Sequence, residues 1–259
     1  MAGSSIALPS YDIAAQAVPT WVVGTPNGSY PVANVITVDP GEVAKANETT
    51  ATLRLTWGGS KVIVAVLLIN TSLGGELVTA TIGSKSGSAT VPDNPDGLCQ
   101  NVWIDLNGAG NSGTTLDIAV VGADNPVAIG RVIALTALLE PHVKWGYDLS
   151  QSFPDITHTN SIDQDFVLDI PVRRRLFNGI VEWAEDYTDL LTLLLEARRN
   201  TAFAVIMNVD DPDCGIFKFV GELPKPSFDF FDGRFDDESV SGIVRQTLQI
   251  KEVNAGVAL

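Results

Sequence analysis

Between Trp21 and Ala137, apolar and polar residues alternate with a period of two in short runs separated by turn-forming clusters. Successive side chains of a strand lie on opposite faces, so this period marks half-buried β-structure. ATLRLTW (51–57) alternates cleanly, a GGS turn follows, and KVIVAVLLIN (61–70) reads as a buried strand. ELVTATIG (76–83), NVWIDL (101–106) and TLDIAVV (115–121) continue the series, which NPVAIGRVIALTALLEP (125–141) closes. Read as a helix, the last run holds Gly130 in its interior, at a cost of about 1 kcal/mol relative to alanine. Read as a strand, it sets Val127, Ile129, Arg131 and Ile133 on one face and Ala128, Gly130, Val132 and Ala134 on the other. Its β-branched content favours the strand. Arg131 is then expected at a sheet rim, its stem over apolar surface and its guanidinium in water or on a carboxylate. Strands at this spacing predict an antiparallel sandwich or jelly roll. No helix-period segment supports parallel crossovers, and the glycines fit no phosphate-loop spacing.

The flanking segments read differently. Residues 1–20 have no clear period and contain two prolines, which predicts an arm or an edge strand. The sandwich is expected over 21–141, and a linker rich in Pro, Ser, Thr, Asn and Asp over 142–165. A second unit is expected over 166–259. Its strands are FVLDIPVR (166–173), RLFNGIVEW (175–183), TAFAVIMN (201–208), IFKFVGEL (216–223) and GIVRQTLQIKEV (242–253). EDYTDLLTLLLEARRN (185–200) is the one helical pattern, with Tyr187, Leu190, Leu191 and Leu194 on a single stripe. Glu185 and Asp186 begin it and Arg198 and Arg199 end it, as the helix dipole prefers. The predicted fold class is therefore mainly β: a jelly-roll sandwich, then a small β sandwich or barrel with one helix.

Charge narrows the partners. The 259 residues carry 16 Lys and Arg against 31 Asp and Glu, a net charge of −15, and both halves are acidic. Duplex DNA and anionic membranes are therefore not expected as partners. No apolar run has the roughly 20 residues of a membrane span, and the start has neither the basic nor the long apolar region of a signal peptide. Cys99 and Cys214 sit in turn-rich sequence and read as reduced thiols. His142 and His158 have no partner at ligand spacing, so no zinc site, histidine triad or cofactor is expected.

The remaining candidates each have a plain structural reading. Asp210, Asp211 and Asp213 lack the ligand spacing of an EF-hand and fit a solvated hairpin turn. Arg173, Arg174 and Arg175 suit an acidic neighbour better than nucleic acid. Glu182 with Glu185, or Asp105 with Asp117, would serve glycoside hydrolysis only at a separation that sequence does not set. Phe228, Phe230, Phe231 and Phe235 alternate with acids and read as a contact surface, as do Leu193 and Leu195, which lie off the helix stripe. Trp57 and Trp103 are candidate glycan contacts, since an indole can stack on a sugar face, although core packing is the commoner fate of tryptophan.

Taken in order, the segments resemble two known families. LRLTWGGSKVIVAVLLINTSLGGELVTATIG and NPVAIGRVIAL are similar to the strands of galactose-binding-like (discoidin-like) domains borne by phages, where a Gly-Arg pair sits between aliphatics of the closing strand. VKWGYDLS, followed by DIPVRRRLFNGIVEWAEDYTDLLTLLLEARRNTAFAVIMNVDDPD, resembles the distal-tail and baseplate proteins of long-tailed bacteriophages. This resemblance implies a non-enzymatic structural component of the virion tail tip, assembled in the host cytoplasm. It would form a homo-oligomeric ring, a trimer or hexamer, that joins the tail tube to hub or receptor-binding proteins. The rival expectation is a carbohydrate-binding protein that recognises host polysaccharide through Trp57, Trp103 and the loop 92–101. A glycan hydrolase has the least support.

Overall fold

The computed structural model describes residues 5–7, 9–37, 42–91 and 100–138, and beyond them the backbones of strands between residues 142 and 252. The first strand, β1 (Ser5–Ala7), precedes nine that build a sandwich. These are β2 (Val18–Val23), β3 (Ala44–Lys45), β4 (Ala51–Val62), β5 (Ala65–Thr71), β6 (Leu77–Ile82), β7 (Lys85–Thr90), β8 (Gln100–Asp105), β9 (Ser112–Val120) and β10 (Ala128–Leu135). They form a five-stranded sheet in the order β2-β4-β9-β6-β7 and a four-stranded sheet in the order β3-β10-β5-β8, all pairs antiparallel. The mainly β sandwich expected from the alternating runs is present.

The alternation decides which side chains meet between the sheets. Leu53, Leu55 and Trp57 of β4, Leu116, Ile118 and Val120 of β9, and Val78, Ala80 and Ile82 of β6 pack against Val66 and Leu68 of β5, Val102 and Ile104 of β8, and Val132 and Ala134 of β10. Each fully buried Leu or Ile contributes about 1.5–3 kcal/mol. The apolar run 61–70 has a further consequence, because all seven residues of β5 are buried. Ala65, Leu67 and Ile69 form a second cluster with Trp103, Ile133, Leu135 and Ala7, so β5 lies between two apolar layers. The expected faces of the closing strand change at Gly130. Val127 and Ile129 join Val132 and Ala134 in the inter-sheet core, while Ile133 and Leu135 lie in the second cluster.

Arg131 is placed by the arm. Its Nη2 lies 3.2 Å from Asp12 Oδ2, and the two side chains are only 18% and 11% exposed. The other Asp12 oxygen accepts the Ala14 and Ala134 amides at 2.9 and 3.1 Å. Asp12 also bridges Leu135, and Ile13 N donates to Ala134 O at 3.0 Å, so the arm runs along the β10 edge where β3 has ended. Of the two fates expected for the guanidinium, the carboxylate is the one realised. At the same end, β6 and β7 turn through Gly83 and Ser84, with φ +57° at Gly83. A Cβ there would lie 2.2 Å from Ser112 O and 2.7 Å from Gly110 O, so the turn requires glycine.

Eight further strands follow: β11 (His142–Val143), β12 (Asp148–Ser152), β13 (Ile156–Thr159), β14 (Asp165–Leu168), β15 (Arg174–Trp183), β16 (Phe203–Ile206), β17 (Phe219–Glu222) and β18 (Val244–Glu252). The stretch 142–165, expected as a linker, thus carries β11, β12 and β13. β14 pairs β13, and the others join an antiparallel sheet in the order β1-β16-β17-β18-β15-β11, with β12 also on β15. The start of the chain is an edge strand of that sheet, Ser5 opposite Ile206 and Ala7 opposite Ala204. The helix expected over 185–200, with Leu193 and Leu195, lies outside the described residues. So do Phe228, Phe230, Phe231, Phe235, the Asp210–Asp213 turn, Cys99 and Cys214.

Two substitutions test this packing by urea denaturation. Leu53→Ala is expected to cost about 2–5 kcal/mol, because the interior cannot collapse fully on the void. Arg131→Met is expected to cost roughly 1–3 kcal/mol by removing a charged hydrogen bond from Asp12. An unchanged midpoint for Leu53→Ala would contradict its place between the sheets.

Candidate functional site

At one end of the sandwich, β2 runs out and β4 begins, and the loops between them hold the sequence PNGSYP (26–31). Asn-Gly between prolines is a turn signal. Asn27 Oδ1 accepts the Ser29 amide at 3.0 Å, and the Tyr30 amide donates to Asn27 O at 3.0 Å, closing the turn. The turn is fixed against residues 45–47. Asn27 N donates to Lys45 O at 2.9 Å, Lys45 N to Tyr30 O at 3.2 Å, and Asn47 N to Thr25 O at 2.9 Å. Asn27 Nδ2 donates to Asn47 Oδ1 at 3.0 Å, and Asn47 Nδ2 reaches Pro26 O at 3.4 Å. The two amides therefore hold each other, and the turn presents Tyr30, a residue 42% exposed. Lys45 Nζ stands 5.9 Å from the ring centroid, within reach of a cation–π contact.

Glu48 anchors the loop from below. Its Oε2 accepts the Thr25 amide at 2.5 Å, and hydrogen bonds from Thr25 hold its carboxyl below the ordinary value of 4.5. The close approach requires Gly24, at φ +90°, where a Cβ would lie 3.2 Å from both Glu48 Oε2 and Ala51 Cβ. The segment 46–50 is tied in turn to 122–127. Val127 O accepts Ala46 N at 2.9 Å, Glu48 O accepts Val127 N at 3.1 Å, Thr49 O accepts Ala123 N at 2.9 Å, and Thr50 Oγ1 accepts Gly122 N at 3.0 Å. The result is an aromatic ring on a braced turn, with amide, hydroxyl and ammonium groups around it. Such a set can stack on an apolar ring face and hydrogen-bond the hydroxyls at its rim.

The tryptophans singled out as glycan contacts are elsewhere. Trp57 is 3% exposed, and its indole N–H donates to Ile13 O at 3.0 Å, pinning the arm. Trp103 is 4% exposed and packs with Leu67, Ile69, Ile133 and Leu135. Neither offers a face to a sugar: Trp57 is buried between the two sheets, and Trp103 in the second apolar cluster on the other side of β5. Residues 92–99 of the loop named with them lie outside the described residues. Asp105 and Asp117 occupy different sheets, Asp105 accepting the Asn107 amide and Asp117 paired with Arg54. Glu182 is described as strand backbone only, and Glu185 falls outside the described residues. No three His, Cys, Asp or Glu side chains come together among the described residues.

Tyr30, Asn27, Lys45, Asn47 and Glu48 carried no weight in the sequence. The signal that would have found them is the turn itself, an aromatic directly after Asn-Gly-Ser.

No family model matches the chain, and no curated protein matches it. Solved structures do, over about half its length. A fucose-binding module of Streptococcus pneumoniae is 12% identical, covering 49% of this chain and 98% of its own, with a TM-score of 0.40. A family 32 carbohydrate-binding module from Clostridium perfringens NanJ, solved with galactose, is 9% identical over 50% of this chain and 98% of its own, at 0.40. The lectin domain of lectinolysin, solved with the Lewis B antigen, is 10% identical over 49% and 96%, at 0.39. At such identity no site residue is carried over, and the site rests on this chain's own atoms. These neighbours correct the expectation of a phage tail-tip or baseplate component that closes homo-oligomeric rings with other tail proteins: they are sugar-binding modules. The Gly-Arg pair of the closing strand has a local explanation, since Arg131 answers Asp12 of the same chain.

The depressed Glu48 carboxyl makes a pH prediction. Because its folded value lies below 4.5, the stability it contributes is present above that pH and is lost as pH falls through the lower folded value. An NMR titration should show the Thr25 amide unchanged through the ordinary Glu range, with its transition below 4.5. A midpoint at or above that value would contradict the bond.

Proposed function

We propose that the sandwich is a non-catalytic carbohydrate-binding domain whose contact site is Tyr30 with Ser29, Lys45 and Asn47, on the loops braced by Glu48. The observation that carries this reading is the exposed Tyr30 ring on a turn held by its own hydrogen bonds. The site needs no rearrangement to present a flat apolar face edged by polar groups, which limits the ordering cost of binding. Sugar rings offer the matching surface, C–H groups on one face and hydroxyls at the periphery. The chain's net charge of −15 disfavours anionic partners at long range, so the ligand class is a neutral glycan, such as a cell-surface polysaccharide. The similar modules are described with fucose, galactose and the Lewis B antigen, which makes those sugars the first probes.

The test is a glycan array followed by calorimetric titration of the full chain. Tyr30→Ala is expected to weaken binding by at least about tenfold, a loss of about 1.4 kcal/mol, with an unchanged melting temperature. Tyr30→Phe should keep most of the affinity, since the ring face remains. Binding that is indifferent to Tyr30→Ala would overturn the site.

A further inference from the structure

The outer face of the five-stranded sheet has a composition that packing does not require. The registers place its outward residues in rows across the strands. One row is Val23, Thr52, Ala119, Thr79 and Ser88. The next is Thr20, Arg54, Asp117, Thr81 and Ser86. A shorter one is Val18, Thr56 and Thr115. Strands stand about 4.8 Å apart and rows about 6.8 Å apart, so the Thr and Ser hydroxyls repeat across the face, with the Arg54–Asp117 pair at its centre and the apolar Val18 and Val23 on the β2 edge.

At its centre, Arg54 and Asp117 neutralise each other in a planar two-point pair, Nε to Oδ1 and Nη2 to Oδ2, both at 2.6 Å. Thr79 with Ser88 and Thr81 with Ser86 are linked at 2.8 Å, which fixes those hydroxyls in place. Threonine suits exposed strand positions and the cross-strand hydroxyl pairs steady the sheet, so strand formation and a hydroxyl-bearing surface are served by the same residues. These rows carry no net charge, in a chain with 31 acids and 16 bases.

We infer that this face is a second glycan-contact surface, continuous with the Tyr30 site, which takes an uncharged polysaccharide chain laid across the strands. The inference rests on the carbohydrate reading of that site. Continuity comes from one segment of chain. Asn47, Glu48, Thr49 and Thr50 brace or edge the Tyr30 loop, and the same segment enters β4, whose Thr52, Arg54 and Thr56 line the face. The occupant follows from charge and chemistry. An ionic partner finds its central counter-charges already paired, whereas a neutral chain of hydroxyls finds donors and acceptors at every row. The ligand class is therefore a chain of several units, longer than the single sugar that stacking on Tyr30 alone would select.

The test uses the full chain in affinity electrophoresis against galactan, mannan, xylan and mixed-linkage β-glucan. The monosaccharide and hexasaccharide of any retained polymer are then titrated. The hexasaccharide is expected to bind at least about tenfold tighter than the monosaccharide, because the face adds contacts to an already anchored chain. Thr79→Val with Thr81→Val and Thr115→Val keeps the β-branched shape and removes three hydroxyls. This variant should bring hexasaccharide affinity down to that of the monosaccharide, whose own binding stays unchanged. Equal affinity for one unit and six, or a hexasaccharide indifferent to the triple variant, would overturn the sheet-face surface and leave the Tyr30 site standing. Hexasaccharide binding that survives Tyr30→Ala but fails in the triple variant would overturn the Tyr30 site and keep the sheet face. Retention by none of the four polymers would overturn both.

Discussion

Burial of β5 on both faces is the constraint from which the rest of the sandwich follows. A strand with no exposed position must pack on both faces, here against the five-stranded sheet on one and with Trp103, Ile133, Leu135 and Ala7 on the other. The four-stranded sheet thereby loses its solvent face, and solvent-facing polar residues concentrate on the other sheet and on the loops at the strand ends. The buried polar side chains among the described residues, Asn70, Thr71 and Asn101, sit where β5 ends. There Asn70 adopts φ 54°, the β5–β8 register slips between Leu68 and Thr71, and Asn101 Oδ1 accepts the Asn70 amide at 2.9 Å. A side-chain oxygen replaces the ladder bond that the bulge removes, and so the apolar strand can stop without an orphaned N–H.

Covering β5 twice also explains the arm. β10 pairs β5 on one side, and on the other β3 reaches only Ala128 and Ile129. The rest of that edge would be an open ladder beside an apolar cluster, a template for unwanted pairing. Residues 11–13 close it, with Tyr11 O accepting Thr136 N and Ile13 N donating to Ala134 O. Asp12 is the residue that can do this next to a partly buried arginine. Its carboxylate takes two backbone amides and Arg131 together, so neither charge is left uncompensated. The same arm carries β1 into the C-terminal sheet, and a short segment of chain is bonded to both halves.

Strands with a strong apolar pattern were legible: β6 and β10 fall within the runs read from sequence and β5, β8 and β9 overlap theirs, whereas β4 runs on through the Gly-Gly-Ser expected as a turn, where its register with β9 shifts between Thr56 and Lys61. β7 was not legible, because KSGSAT is an edge strand with no large apolar residue to set a period. β11, β12 and β13 were hidden for a related reason, since polar and turn-forming residues dominate 142–165 while the pairing is made by backbone. The site was less legible than the fold. Tryptophan beside a β loop reads as a sugar platform, yet parity, available from the alternation of 51–57, puts Trp57 between the sheets, while Trp103 sits on the opposite face of β8 and is buried in the second cluster. Tyr30 lies in no periodic run, and what makes it a platform is the pairing of 25–30 with 45–47, a contact that composition does not encode. The tail-protein resemblance rested on segment order, which many antiparallel sheets share.

On the proposed reading, the two aromatic fates separate stability from recognition. Trp57 is held by a hydrogen bond to the arm and apolar contact on an inward position, so changing it would disturb the sandwich itself. Tyr30 sits on a turn whose bonds are made by backbone groups, its own included, and by the Asn27 and Asn47 side chains, so removing its ring leaves those bonds intact. A binding residue of this kind can vary without cost to the core, which is the condition for ligand choice to change on a fixed scaffold. Charge is arranged to the same end. Glu48 is engaged by Thr25, Lys45 lies over the ring, and Arg54 and Asp117 cancel on the adjoining face. On the proposed reading, a ligand on the sheet face meets Arg54 and Asp117 already paired, and ring stacking and the placement of hydroxyls are left to discriminate.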